Sequence, residues 1–238
     1  MKNKKTRWLV ILLCISLALS VLLASCDKGS DKDDSKEEAS EEKTGNGGSE
    51  NEGEVDGVAV TKDEWVTAFT FDYSEYSCKI KCIDIEDGAS MYMEQTVQGN
   101  KIKMIEDVGA AIAIDYMENA EGGHYYYNDE GEESDINAER TYTKRFVSFE
   151  DTHGDDEFEA TKNGPKRMLS PFVDAYDLME YDAEKGCYFI SDLADGIKNV
   201  SVYMLDGKIS KVIYDTKYYS YEFEITYDNI EVILPEVK

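Results

Sequence analysis

From residue 58 onward, apolar and polar side chains alternate in short runs. The clearest is the series Tyr219, Tyr221, Phe223, Ile225 and Tyr227, each followed by a polar residue or the end of the run. A period of two places those five side chains on one face of a β-strand. Strand-like runs recur at 76–85, 91–97, 101–105, 112–117, 124–127, 141–149, 187–190, 200–205, 208–214, 218–227 and 230–234. Turn signals separate them at Asp87-Gly88, Gly99-Asn100, Gly122-Gly123 and Asp206-Gly207, which predicts an antiparallel meander. Two segments break the period. Thr61 and Glu64 have capping-box spacing, and Trp65, Ala68 and Phe69 then fall on one side of a short helix. Gly164-Pro165 reads as a chain break. Ser170 and Pro171 read as N-cap and first residue of a second helix that buries Phe172, Ala175, Tyr176 and Met179. The expected domain is α+β, with eight or nine strands and two helices. Its form is a large curved antiparallel sheet, a half-barrel, packed against one main helix, with the short helix at its N-terminal end.

The first 57 residues follow another pattern. Lys2, Lys4, Lys5 and Arg7 precede an apolar run from Trp8 to Leu23, the arrangement of a secretory signal. The run ends in Leu23-Ala24-Ser25-Cys26, which resembles the lipobox of bacterial lipoproteins residue by residue. That resemblance implies cleavage of residues 1–25, a diacylglyceryl group on the Cys26 thiol, and a mature protein anchored on the extracytoplasmic side of the cell membrane. Two or more acyl chains hold such an anchor firmly, since each buried CH₂ contributes about 0.8 kcal/mol. Asp27 resembles an inner-membrane retention signal if the cell has two membranes. Residues 27–57 hold 12 acidic side chains and 4 lysines, with Val55 the only large apolar residue. Such a segment cannot build a core, and self-repulsion gives it a reach of at least about 30 Å as a tether. One domain, 58–238, follows it.

Charge and chemistry narrow the classes of function. The formal charge of −26 leaves 17 basic and 39 acidic side chains in 58–238, a net −22. Phosphate backbones and anionic headgroups are repelled by such a surface, so no nucleic-acid partner is expected. Lys144 with Arg145 and Lys166 with Arg167 are isolated pairs that relieve a negative surface. Cys14 leaves with the signal segment and Cys26 is lipidated, which leaves Cys78, Cys82 and Cys187. Cys78 and Cys82 share a strand face about 13 Å apart, too far for a disulfide. Cys187 either pairs with one of them or, as the favoured reading, all three are small buried residues. His124 and His153 are the only histidines, and no zinc spacing, serine elbow, phosphate loop or dinucleotide motif occurs. No enzyme, cofactor or metal is expected. The acidic runs 128–135 and 150–159 lack the spacing of a calcium loop and read as solvated loops.

The order helix, meander, helix carries the segments FVDAYDLMEY at 172–181, GCY at 186–188, LDGK at 205–208 and ITYDNI at 225–230, closing at Leu234-Pro235. This order resembles uncharacterised lipoproteins of the Firmicutes type and, through them, the LolA/LppX half-barrel fold. The resemblance implies an apolar space between sheet and helix that holds acyl chains, and it transfers no ligand residue. The leading expectation is a monomeric binding protein for a lipid or other hydrophobic ligand, for which 17 tyrosines and 8 methionines are suitable lining. The alternative is a surface-displayed interaction or structural module with no small ligand. Tyr116, Tyr125, Tyr126, Tyr127 and Tyr142 are the candidate exposed aromatics.

Overall fold

The computed structural model describes residues 59–70, 74–109, 111–131, 135–151 and 156–237. The expected signal segment and tether, with Cys14 and Cys26, and His153 lie outside the described residues. Val55–Lys238 forms one compact unit. Its core draws on Trp65 at one end of the sequence and Ile225 at the other, so the unit contains what a domain needs to fold alone.

Eleven antiparallel strands make one open sheet: β1 (Glu75–Asp84), β2 (Ser90–Gln98), β3 (Lys101–Asp107), β4 (Ile112–Ala120), β5 (Gly123–Asp129), β6 (Tyr142–Ser148), β7 (Glu180–Asp182), β8 (Cys187–Leu193), β9 (Ile197–Leu205), β10 (Lys208–Asp215) and β11 (Tyr219–Thr226). Their spatial order is β6-β5-β4-β3-β2-β1-β11-β10-β9-β8-β7, so two meanders join where β1 pairs with β11. The sheet is not closed and fits a half-barrel. Tight turns set the hairpins. Asp206 and Gly207 between β9 and β10 have φ of 51° and 72°, the left-handed pair that a two-residue hairpin requires.

The first helix, α1 (Lys62–Thr70), starts as its sequence predicts. The Thr61 N–H donates to Glu64 Oε2 at 2.7 Å, and the Glu64 N–H donates to Thr61 Oγ1 at 3.3 Å. Trp65, Ala68 and Phe69 are buried on its inner side.

The expected main helix at 170–179 is absent. Cover comes instead from α2 (Glu157–Lys162), α3 (Gly164–Leu169) and two single 3₁₀ turns, Ser170–Phe172 and Tyr176–Leu178. From 170 to 179 the backbone closes i→i+3 turns instead of α-helical ones, with the Val173 N–H donating to the Ser170 carbonyl and the Leu178 N–H to the Ala175 carbonyl, and Pro171 stops α3 from running on into them. In a continued α-helix its nitrogen would donate to the Arg167 carbonyl, and it has no proton to give. Ser170 Oγ donates to that carbonyl instead, at 2.8 Å. Pro165 does not break the chain but occupies the first turn of α3. The predicted apolar set still packs inward: Phe172, Ala175 and Met179 are buried and Tyr176 is half-buried.

The described residues form eleven strands where eight or nine were expected, and two assignments differ. Residues 180–182 pair with β8 as the short edge strand β7. Residues 230–234 form no strand; the side chain of Gln98 bonds them instead, donating to the Ile230 carbonyl at 3.1 Å and accepting from the Val232 N–H at 3.0 Å.

Candidate binding face

Register assigns each strand residue to one of two faces. Tyr76, Cys78 and Ile80 of β1 lie on the face that carries the helices. Val97, Gln95 and Met93 of β2 stand opposite them on the same face, followed by Ile102, Met104 and Glu106 of β3 and Met117, Asp115 and Ala113 of β4. Cover over this face is uneven. Near its lower edge, α1, α3 and the 3₁₀ turns lay an aromatic plug on the sheet. Trp65 and Phe172 are 0% exposed, and Trp65 Nε1 donates to the Phe172 carbonyl at 3.0 Å. The Trp65 ring meets Phe69, Tyr176 and Tyr188 edge-on or tilted at 5.0 to 5.7 Å. No space for a ligand opens between these rings, which bury one another as a core does.

Gln95 marks where cover stops on the β1–β5 half. Its side-chain amide donates to the Thr161 carbonyl at 2.9 Å and to Tyr76 Oη at 2.7 Å, while Tyr76 Oη donates to the Lys162 carbonyl at 2.6 Å. These bonds fasten the end of α2 to the middle of the sheet. Below this level Val97, Ile102 and Met117 are fully buried. Above it Met93, Met91, Met104 and Ala113 are only half-buried, with Glu106 and Asp115 among them. Tyr126 of β5 borders the same area. Burial first, then the nearby carboxylates of Glu157 and Asp115, push its phenol up to about 12, with Arg145 acting in the opposite direction.

At β1 the row closes over, since Ile80 and Cys82 are buried, and it is only partly covered again at Tyr221 and Tyr219 on β11. Cys82 faces Met91 on one side and Tyr221 on the other, and Tyr221 stacks on Tyr214 with ring centroids 5.0 Å apart. Tyr219 lies 6.2 Å from Tyr221. It also lines an open depression of about 320 Å³ with Asp84, Ile85, Glu86, Lys217 and Tyr218. Ile85 and Tyr218 are 54% and 59% exposed. This end of the sheet therefore presents apolar side chains among carboxylates.

The opposite face is a polar surface with one aromatic quarter. Lys79 and Lys81 of β1 stand between glutamates of β11 and residues of β2, and Lys211 pairs with Glu222 at 2.5 Å. A shallow depression of about 130 Å³ lies among Lys79, Lys81, Tyr92, Glu222 and Glu224. The candidate aromatics divide. Tyr116, Tyr125, Tyr127 and Tyr142 lie here, whereas Tyr126 faces the helices. Tyr127 and Tyr142 are 4% and 9% exposed, so they are not surface aromatics. Tyr142 packs edge-on against Tyr116, and Lys144 Nζ lies 4.0 Å above the Tyr125 ring, 4.8 Å from the Tyr127 ring and 3.9 Å from Glu118. Strand alternation sends Arg145 to the helix face, so Lys144 and Arg145 do not act as a pair; Lys166 and Arg167 sit in α3.

Among the described residues Cys78, Cys82 and Cys187 are buried and joined in no disulfide. Cys187 on β8 cannot reach Cys78 or Cys82 on β1: strands β9, β10 and β11 intervene, a span of about 19 Å, and Cys187 points to the other face. Burial pushes the Cys78 and Cys187 thiols up, which keeps them protonated.

Two polar sites were not foreseen. Asp129, in an acidic run expected to be solvated, is buried and paired with Arg140. His124, fully buried on β5, has no hydrogen-bond partner on either ring nitrogen; Glu157 Oε2 is 3.4 Å away and the Tyr126 ring 5.3 Å. Among the described residues no set of three or more His, Cys, Asp or Glu side chains is placed to hold a metal ion, and no helix is long and apolar enough to cross a membrane. The chain matches no protein-family model, and no curated protein sequence matches it.

Proposed function

We propose that this chain is a lipoprotein anchored through Cys26, held off the extracytoplasmic side of the cell membrane by residues 27–57, and that it binds a hydrophobic or amphipathic ligand without catalysing a reaction. The ligand lies on the uncovered part of the helix-bearing face. The observation that supports this reading is the step in burial at Gln95: Val97, Ile102 and Met117 are sealed, while Met91, Met93 and Met104 on the same face and the same strands are only partly buried. Methionines adapt to apolar partners of varied shape. An acyl chain enclosed between sheet and helix, which the half-barrel resemblance implies, is not part of this proposal, because the aromatic plug fills that space.

Native mass spectrometry of residues 55–238, followed by solvent extraction, tests the reading. A stoichiometric lipid or other amphiphile that is lost in Met93→Lys supports it. A clean apo mass after incubation with membrane extract would favour the second reading, an interaction module without a small ligand, which the filled interior also suits.

A further inference from the structure

The sheet is open, so the strands at its two ends each have a neighbour on one side only. One of them, β7, is three residues long, and shortness itself protects an edge from pairing. The other, β6, runs for seven residues without proline or glycine, and its register with β5 is unbroken. Two flanking bonds fix which of its backbone groups face outward. The Glu130 N–H donates to the Thr141 carbonyl and the Phe149 N–H to the Gly122 carbonyl, so residues 143, 145 and 147 bond β5. The N–H and carbonyl groups of Lys144 and Phe146 therefore point away from the sheet. No described strand lies there, and residues 143–146 are all exposed.

The usual guards of such an edge, a bulge, a proline or a lysine standing off it, are missing. Lys144 folds inward instead: its Nζ lies 4.0 Å above the Tyr125 ring and 3.9 Å from Glu118, over β5 and β4. Phe146 is 44% exposed, with its ring over Gly123 and 5.1 Å from the Tyr125 ring. Arg145 projects from the other side of the strand and constrains any pairing.

Three symmetric antiparallel registers bring the outward groups of two β6 strands together. Centred on Lys144 or on Arg145, the pair sets like charges opposite each other, which is destabilising. Centred on Phe146, it sets Phe146 against its copy, Lys144 opposite Ser148 and Arg145 opposite Val147, with no like charges opposed. The Ser148 carbonyl already accepts from the Asp151 N–H at 3.1 Å and keeps a second lone pair for the new strand. We infer that β6 pairs with β6 of a second copy of this chain, centred on Phe146, so that one sheet runs through both molecules. This departs from the monomer expected from the sequence. Residues 144–148 overlap in each strand, a contact smaller than the interfaces of stable complexes, so the dimer is weak and reversible. Each copy carries −22, and salt, which screens charge beyond about 8 Å at physiological strength, strengthens the association.

Sedimentation equilibrium of residues 55–238, from micromolar to millimolar concentration and at low and high salt, reads the association. The expected result is a monomer–dimer equilibrium that moves toward dimer as salt rises. Lys144→Pro removes an outward N–H without touching the ladder to β5, and Phe146→Lys puts like charges at the centre of the pair; each should weaken the dimer about tenfold or more. Leu205→Lys, at an exposed apolar residue next to the β9–β10 turn, should leave it unchanged. Under oxidation Phe146→Cys should crosslink two copies, since opposed residues lie about 5.5 Å apart. Ser148→Cys should not, because its two copies stand about 13 Å apart along the strands. Unaltered thermal unfolding of each variant keeps the comparison valid. A monomer at every concentration and salt overturns the inference. So does a dimer indifferent to both Lys144→Pro and Phe146→Lys, or crosslinking of Ser148→Cys as readily as Phe146→Cys. None of these outcomes bears on the ligand proposed for the helix-bearing face.

Discussion

Arg140 and Asp129 form an ion pair inside the connection between β5 and β6, with side-chain exposures of 4% and 1%. Arg140 Nη1 also donates to the Ile112 carbonyl at 2.9 Å, and Nη2 to the Asp135 carbonyl at 3.0 Å. Asp129 accepts from the Ile114 N–H at 3.3 Å and the Gly131 N–H at 2.9 Å. The pair thus ties β4, β5 and the loop after β5 together. Removing the guanidinium leaves a buried carboxylate uncompensated, so Arg140→Met should destabilise the domain by about 3–5 kcal/mol. Urea unfolding measures the loss. A change below about 1 kcal/mol would mean the pair does not hold the loop.

Gly123 opens β5 where a side chain has no room. A Cβ there would lie 2.1 Å from the Val147 carbonyl oxygen and 3.0 Å from Ser148 Cα, both backbone atoms of edge strand β6. Gly123→Ala should push β6 away from β5 and cost about 1–3 kcal/mol. Hydrogen exchange should accelerate in residues 142–148 first and leave β1 and β11 protected.

Alkaline pH should unfold the domain early. Burial raises the phenols of Tyr126, Tyr142 and Tyr214, Tyr126 to about 12. A raised folded-state value means that the unfolded chain loses these protons first. The contribution to stability is therefore complete below about pH 10, the unfolded value, and is lost as pH rises through the folded values. Urea midpoints should begin to fall above about pH 8.5, where the unfolded Cys78 and Cys187 thiols ionise, and fall more steeply above about pH 10. Tyrosinate absorbance should appear together with unfolding rather than ahead of it for these residues.

The three thiols should be silent in the native state. All three are buried, and burial holds Cys78 and Cys187 protonated, without the thiolate that reacts with disulfide reagents. Labelling of residues 55–238 at mildly alkaline pH should yield three modified cysteines only after denaturant is added. Rapid labelling in buffer would contradict the packing of β1 and β8.

Most strands were legible because their signals are local. Alternation in residues 219–227 and the turn pairs at 87–88, 99–100 and 206–207 act over a few residues, and so does the Thr61 and Glu64 capping box. The failures involve competition between distant or alternative partners. Apolar spacing at 172, 175, 176 and 179 is real, yet Pro171 ends α3 and the backbone after it closes i→i+3 turns rather than a continuous helix. Residues 230–234 have strand composition, but Gln98 takes their backbone groups before a neighbouring strand can. Arg140 carries no signal beyond being a lone cation in an acidic stretch; its partner lies eleven residues away. The candidate face was the least legible feature. Met91, Met93 and Val97 share one alternating pattern, and only the place where α2 ends, fixed by Gln95 and Tyr76, separates the exposed from the sealed.

That separation is the basis of the whole functional account, and methionine methyl signals read it directly. Residues 55–238 with methyl-labelled methionines, assigned by single substitution, are mixed with a spin-labelled cationic amphipathic peptide and, separately, a spin-labelled fatty acid. The account predicts that at least one probe broadens Met91, Met93 and Met104 selectively, while Met117 and Met204, sealed under the cover, stay sharp. Uniform broadening of all five, or none with either probe, would contradict it.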